Sequence, residues 1–121
     1  DRDRVVSVLS RIAIYFEQGT DRPVDPALAA RRMDEIAAAL KGGDFNLRVL
    51  GQADSAGSEK RNAEIAQGRA AAVMDMLAAR GIERSRMRSA TRRPDIGGDP
   101  KGYPRGRRVT FELAWQDEPK P

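Results

Sequence analysis

The sequence predicts an α+β fold, a two-layer sandwich in βαβαββ order with its helices on one face of a sheet. Short segments that alternate apolar and polar residues indicate strands, and two longer segments with apolar residues at helical spacing indicate helices. The two kinds of segment alternate along the chain, which favours helices packed against a sheet. A length of 121 residues, with 40% hydrophobic and 33% charged residues, is that of a single globular domain.

The first strand and the first helix are predicted in the N-terminal third of the chain. Apolar residues alternate over 12–16, and residues 1–9 form either an N-terminal extension or the start of this strand. Asp25 is suited to cap a helix whose first residue is Pro26. The helical pattern then continues to Gly42-Gly43, a typical C-terminal stop.

The middle of the chain predicts a second strand that leads almost directly into a second helix. Phe45, Leu47 and Val49 alternate with polar residues up to Gly51. After a polar turn, the second helix is expected over about 59–80.

Two further strands, separated by a long loop, are predicted near the C-terminus. Residues 86–92 fit a short strand, and residues 92–106 contain four Gly and three Pro, which indicates an irregular loop. Alternation over 109–115 is the clearest strand pattern in the chain, and residues 116–121 are expected to be a disordered tail.

The composition excludes several classes of function. The chain has no Cys and no His, which removes Cys/His zinc sites, thiol chemistry and Ser-His-Asp triads. We expect no catalytic residue, no metal and no cofactor. No apolar run exceeds five residues, whereas a membrane-spanning helix needs about 20. The chain begins at Asp1 without a signal-like stretch, which indicates a mature fragment or an excised domain.

An acidic turn followed by a helix carries the candidate ligand-binding residues. Asn62 and Arg69 are seven residues apart and therefore share one helix face, and Asp54 lies in the turn just before the helix. An Asp and an Arg that face one small pocket suit a zwitterionic amino-acid head group, since Arg matches a carboxylate and Asp an ammonium. The alternative is an internal salt bridge between Asp54 and Arg69.

This stretch resembles the OmpA-like peptidoglycan-binding family, with the pattern G-H-T-D-x-x-G-x-x-x-x-N-x-x-L-S-x-x-R-A-x-x-V. The residues that match the pattern in register are Gly51, Asp54, Gly57, Asn62, Arg69, Ala70 and Val73. Three other segments are similar to family motifs: the turn at 14–20, Gly81-Ile82 after the second helix, and the closing strand at 106–111. The resemblance covers residues 10–115.

The resemblance implies non-catalytic, non-covalent binding of peptidoglycan through the diaminopimelate of its stem peptide. Asp54 and Arg69 would hold the diaminopimelate, while Asn62 and the backbone from Ala53 to Gly57 complete the pocket. The family fold implies a mixed four-stranded sheet whose last strand inserts antiparallel between otherwise parallel strands. The implied location is the periplasm or cell envelope. The parent protein would be anchored outside this segment, in the outer or inner membrane, and a homodimer is possible.

Departures from the family pattern support an alternative function. Gln52-Ala53 replaces the family's His-Thr, and Gly106 replaces the first Asn of the closing motif. With these changes the domain is either a working anchor or an OmpA-like fold with a retired pocket, acting as a protein-interaction or dimerisation module.

The positive charge is concentrated in one segment. Residues 80–108 carry ten basic and three acidic side chains, a net +7 in a chain of net +4. A nucleic-acid binder is a second alternative, but the segment has one aromatic residue, Tyr103, and no base-reading motif. We therefore expect no nucleic-acid partner, and we attribute the charge to attraction towards envelope polyanions.

Overall fold

Three α-helices and four strands make up the part of the chain that the computed structural model describes, residues 1–53, 58–92 and 106–114. In chain order they are α1 (Arg2–Ser10), β1 (Ile14–Tyr15), α2 (Pro26–Leu40), β2 (Asn46–Gly51), α3 (Glu59–Ala78), a 3₁₀ turn (Arg84–Arg86), β3 (Met87–Thr91) and β4 (Arg108–Ala114). The predicted α+β sandwich with a mixed sheet is confirmed. Most of the loop predicted over 92–106 and the tail predicted at 116–121 lie outside the described residues.

The last strand, β4, is a central strand of the sheet rather than an edge strand. The strand order is β1-β4-β2-β3, with β4 antiparallel to both of its neighbours and β2 parallel to β3. Val109 pairs with Ile14 on one side and with Gly51 on the other. Strands β1 and β2 are therefore parallel, and their C-terminal ends lie side by side next to the start of β4. The segments that follow β1 and β2 both leave the sheet at this end, which we call the sheet edge.

The N-terminal segment is a helix, so of the two alternatives for residues 1–9, an N-terminal extension or the start of the first strand, the second is wrong. Asp1 caps α1 by accepting a hydrogen bond from the backbone N–H of Asp3 at 2.9 Å. Val5 and Leu9 lie one helical turn apart and are buried in the core. The spacing of the apolar residues in this short segment fits the period of a helix and also that of a strand. Its burial against α2 and β4 favours the helix. Strand β1 is correspondingly shorter than residues 12–16.

Helices α2 and α3 begin and end close to the predicted positions. The Asp25 carboxylate accepts from the Leu28 N–H at 3.0 Å, and the Ser58 hydroxyl accepts from the Arg61 N–H at 3.1 Å. The backbone turns away after each helix at a glycine with positive φ, Gly42 at +82° and Gly81 at +92°. In the described ranges no helix has the length and apolar content needed to cross a membrane.

The end of β2 lies directly against α3, and only a glycine fits there. A Cβ on Gly51 would lie 2.0 Å from the carbonyl oxygen of Ala66 and 3.3 Å from the Cβ of Ala70. Both alanines are buried, and their small side chains allow the close approach. This contact fixes the start of the β2–α3 connection relative to the helix.

We expect Gly51→Ala and Gly68→Ala to change stability in opposite directions. At Gly51 the added methyl group overlaps helix backbone, and overpacking costs about 1–3 kcal/mol or more. At Gly68, inside α3, the nearest heavy atom to an added Cβ is 3.9 Å away, so the alanine should gain about 0.5–1 kcal/mol from helix propensity. Urea denaturation measures both, and equal stability of Gly51→Ala and wild type would contradict the packing described.

Two substitutions in helix α1 test whether this helix is part of the hydrophobic core. Leu9→Ala should lower the free energy of unfolding by about 2–5 kcal/mol, because it empties a buried site. Val6 is 44% exposed on the same helix, so Val6→Ala should change it by less than about 0.5 kcal/mol. Similar urea midpoints for the two variants would show that α1 is not part of the core.

Candidate ligand-binding site

The sheet edge at which β1 and β2 end lies against the middle of α3, at residues 66–70. The segment after β1 runs through Glu17 and Thr20, and the segment after β2 starts with Gln52 and Ala53. Backbone hydrogen bonds hold both to the start of β4, from Phe16 N–H to the Arg107 carbonyl at 2.7 Å and from Gln52 N–H to the Arg108 carbonyl at 3.0 Å. The edge thus brings two loops together against the middle of α3.

Arg69 joins the two loops from within the protein. Its Nε donates to the carbonyl of Thr20 at 2.8 Å, and its two terminal nitrogens donate to the carbonyls of Gln52 at 2.9 Å and Glu17 at 3.0 Å. The guanidinium carbon also lies 5.5 Å from the centre of the Phe16 ring, within range of a cation–π interaction. One side chain on α3 therefore fixes the loops that follow β1 and β2.

The burial of Arg69 is greater than the sequence suggests. Its spacing from Val73 places it at the margin of the buried helix face, whereas the residue is 1% exposed. Three backbone carbonyls solvate the guanidinium in place of water, which makes such burial tolerable.

Gln52, which stands where the family has His, is buried between two arginines. Its backbone carbonyl accepts from Arg69, and its side-chain oxygen accepts from Nε of Arg108 at 3.4 Å. Its side-chain nitrogen has no hydrogen-bond partner within the described ranges. Gln52 is 0% exposed and therefore supports the loop from beneath rather than presenting its amide to solvent.

Two of the other predicted site residues, Asn62 and Ala53, lie within the described ranges. Asn62 is half-buried in the first turn of α3, and Ala53 is buried directly after Gln52. Asp54 and Gly57 lie outside the described residues, so both the ligand contact and the alternative Asp54–Arg69 salt bridge stay predictions. The carbonyls of Glu17 and Thr20 are not predictable from the sequence, because a backbone acceptor is present at every residue whatever its type.

Much of the basic segment at 80–108 has internal partners. Arg80 donates to the carboxylate of Asp34 at 2.6 Å, and Arg84 donates to that of Asp75 at 2.8 Å. Arg86 binds the carbonyls of Leu40, Gly43 and Phe45 at 2.9 to 3.3 Å, where α2 ends. These arginines hold α2, α3 and the start of β2 together, so the local charge excess does not by itself indicate an anionic partner.

The described ranges contain no group of three or more acidic side chains that could hold a metal ion. What the described residues show at the site is a buried arginine bound to three backbone carbonyls.

The sequence model of the OmpA family matches residues 15–96, about two thirds of the chain. The chain therefore belongs to the OmpA family. No curated protein sequence matches it significantly.

Solved structures show the same fold at low sequence identity. The peptidoglycan-associated lipoprotein from Burkholderia pseudomallei is 21% identical, with a TM-score of 0.76 over 88% of this chain and 93% of that one. The C-terminal domain of Helicobacter pylori MotB is 22% identical, with a TM-score of 0.66 over 88% and 86%. The cell wall anchor of the T6SS from Pseudomonas aeruginosa is 20% identical, with a TM-score of 0.63 over 92% and 96%.

We expect Arg69→Leu to lower the free energy of unfolding by at least about 3 kcal/mol, because hydrogen bonds from a charged donor contribute about 1.5–3 kcal/mol each and three carbonyls lose theirs. Arg69→Lys should recover only part of this loss, since an ammonium does not reproduce the guanidinium geometry.

Urea denaturation measures the effect, with Arg31→Leu as the control. Arg31 is exposed on α2, and its replacement should change stability by less than about 0.5 kcal/mol. If both leucine variants unfolded at the same urea concentration, the role of Arg69 in holding the loops would be refuted.

Proposed function

We propose that this domain binds peptidoglycan non-covalently through the diaminopimelate of the stem peptide and so tethers a parent protein to the cell wall. One observation carries the proposal: Arg69 holds together the loops after β1 and β2, and the second of these loops leads in the sequence to Asp54. The family match and the wall-associated names of two structural neighbours support it.

In the proposed binding mode, each of the two charged groups of the ligand head group pairs with one protein side chain. The side-chain end of diaminopimelate carries an ammonium and a carboxylate on one carbon. Asp54 receives the ammonium, and the carboxylate lies against the guanidinium of Arg69, an arrangement typical of charge-assisted recognition. Asn62 and the backbone from Ala53 to Gly57 complete the pocket. No bond is made or broken, so no catalytic group is required.

In this proposal the domain works in the periplasm or cell envelope. Its parent is anchored in the outer or the inner membrane by a segment outside this one, and the domain supplies the wall contact. It acts as a monomer or as a homodimer, without a nucleic-acid partner.

The burial of Arg69 favours a second candidate function. A guanidinium that is 1% exposed and bound to three carbonyls is sufficient to hold the loops without a ligand. With Gln52 in place of His, the pocket would then be retired and the domain would act as a protein-interaction or dimerisation module. Such a domain would not bind peptidoglycan and would self-associate at micromolar concentration.

Retention on purified sacculi separates the two candidates. We expect the wild-type domain to sediment with diaminopimelate-type sacculi and Asp54→Asn to bind about tenfold more weakly or worse, because it loses a charged contact to the ammonium. Asp54 is preferable to Arg69 as the tested residue, because loss of Arg69 should also destabilise the fold.

Asp44→Asn is the matched control. Asp44 is exposed just before the start of β2, whereas residue 54 follows the end of that strand in the sequence, and replacement of Asp44 should leave retention unchanged. Wild-type protein that stays in the supernatant, together with a dimer in analytical ultracentrifugation, would refute wall binding and favour the second candidate.

A further inference from the structure

Two buried polar side-chain atoms near the sheet edge have no hydrogen-bond partner within the described part of the chain. They are the amide nitrogen Nε2 of Gln52 and the hydroxyl oxygen Oγ1 of Thr110. The whole Gln52 residue is 0% exposed. Native proteins pair the large majority of buried polar side-chain atoms, so an unpartnered group calls for a specific explanation, such as a bound water molecule or a bound ion.

Both side chains project from the face of the sheet opposite α3. Gly51 lies against α3, and successive residues of a strand alternate between the two faces, so Leu50 and Gln52 share the other face. Thr110 is paired directly with Leu50. The Gln52 N–H continues the same ladder by donating to the Arg108 carbonyl. Gln52 and Thr110 are therefore diagonal neighbours on adjacent strands, with Cα atoms about 7–8 Å apart.

The missing partner of Gln52 has to be a hydrogen-bond acceptor. Both oxygens of Gln52 already accept from arginines, the backbone carbonyl from Arg69 at 2.9 Å and Oε1 from Nε of Arg108 at 3.4 Å. The contact with Arg108 also fixes the orientation of the amide, since exchanging its oxygen and nitrogen would set two donors against each other. The N–H groups of Nε2 therefore need an acceptor, and the Thr110 hydroxyl can donate to the same one.

A small anion meets this requirement better than a water molecule does. A buried water molecule makes about three hydrogen bonds and has two hydrogens of its own to donate. The side-chain groups available here are an amide N–H₂ and a hydroxyl that can both donate, and Arg108, which contacts the same amide, has donors only. Hydrogen bonds with an ionised partner are also roughly twice as strong as neutral ones, so an anion gains more from these donors than water does.

We propose that Gln52 and Thr110 bind one small monovalent anion, such as chloride, on the face of the sheet opposite α3. The amide N–H₂ and the hydroxyl donate to the anion, with the Arg108 guanidinium alongside. This anion site is distinct from the proposed diaminopimelate pocket and does not depend on it. The anion completes the hydrogen bonding of a residue whose backbone carbonyl binds Arg69, and so it stabilises the loop after β2.

Urea denaturation at constant ionic strength, with sodium gluconate exchanged stepwise for sodium chloride, tests the anion site. Gluconate is too large for a buried site between two side chains, so the exchange changes occupancy and leaves general charge screening unchanged. A ligand that binds only the folded state raises the folded-to-unfolded ratio by 1 + [L]/Kd, about elevenfold at ten times Kd. We expect a saturable rise of this form in the wild-type domain. Thr110→Val removes the hydroxyl at similar volume and should weaken the apparent chloride affinity about tenfold.

Thr91→Val is the matched control, because Thr91 is exposed on β3 and its replacement should leave the chloride response unchanged. Gln52→Glu is a second variant, whose own carboxylate takes the place of the anion and should abolish the response. A wild-type domain that is equally stable in chloride and gluconate would overturn the proposal and assign the Gln52 amide to water or another acceptor. The same chloride response in wild type and Thr110→Val would overturn it as well.

Discussion

The contact between the guanidinium of Arg69 and three backbone carbonyls is the interaction on which the site depends. The carbonyls of Glu17 and Thr20 belong to the loop after β1, and that of Gln52 belongs to the loop after β2. Loops at a sheet edge have few apolar contacts of their own, and a planar donor with several N–H groups can fix both at once. The close approach of Gly51 to α3 sets the distance at which Arg69 reaches them.

A structural and a recognition role for Arg69 are compatible, because they use different properties of the side chain. Hydrogen bonds to the carbonyls hold the loops by geometry, and in the proposed function the guanidinium also pairs with the carboxylate of the ligand. An ion pair in a buried setting is screened less by salt than one on the surface. A variant at this position therefore tests the structural role and the proposed recognition role together.

The fold was largely predictable from local pattern, because α2, β2, α3 and β4 are delimited by capping residues, glycines and clear alternation. Helix α1 was not, because Val5 and Leu9 fit a helical turn and an alternating strand equally well, and only their burial against α2 and β4 decides. At the site, a motif located Arg69. Its full burial and its carbonyl partners depend on tertiary contacts 17 to 52 residues away in sequence, which no residue type records.

Amide chemical shifts of the labelled domain, followed during titration with a diaminopimelate-containing stem peptide, report directly on whether the two loops joined by Arg69 form a ligand site. A lysine-containing peptide is the control, since it keeps the ammonium but lacks the second carboxylate. If the two loops form the site, saturable shifts should be concentrated in residues 17–22, 52–53 and 58–69, with much weaker effects from the lysine peptide. Absence of saturable shifts, or equal shifts with both peptides, would contradict it.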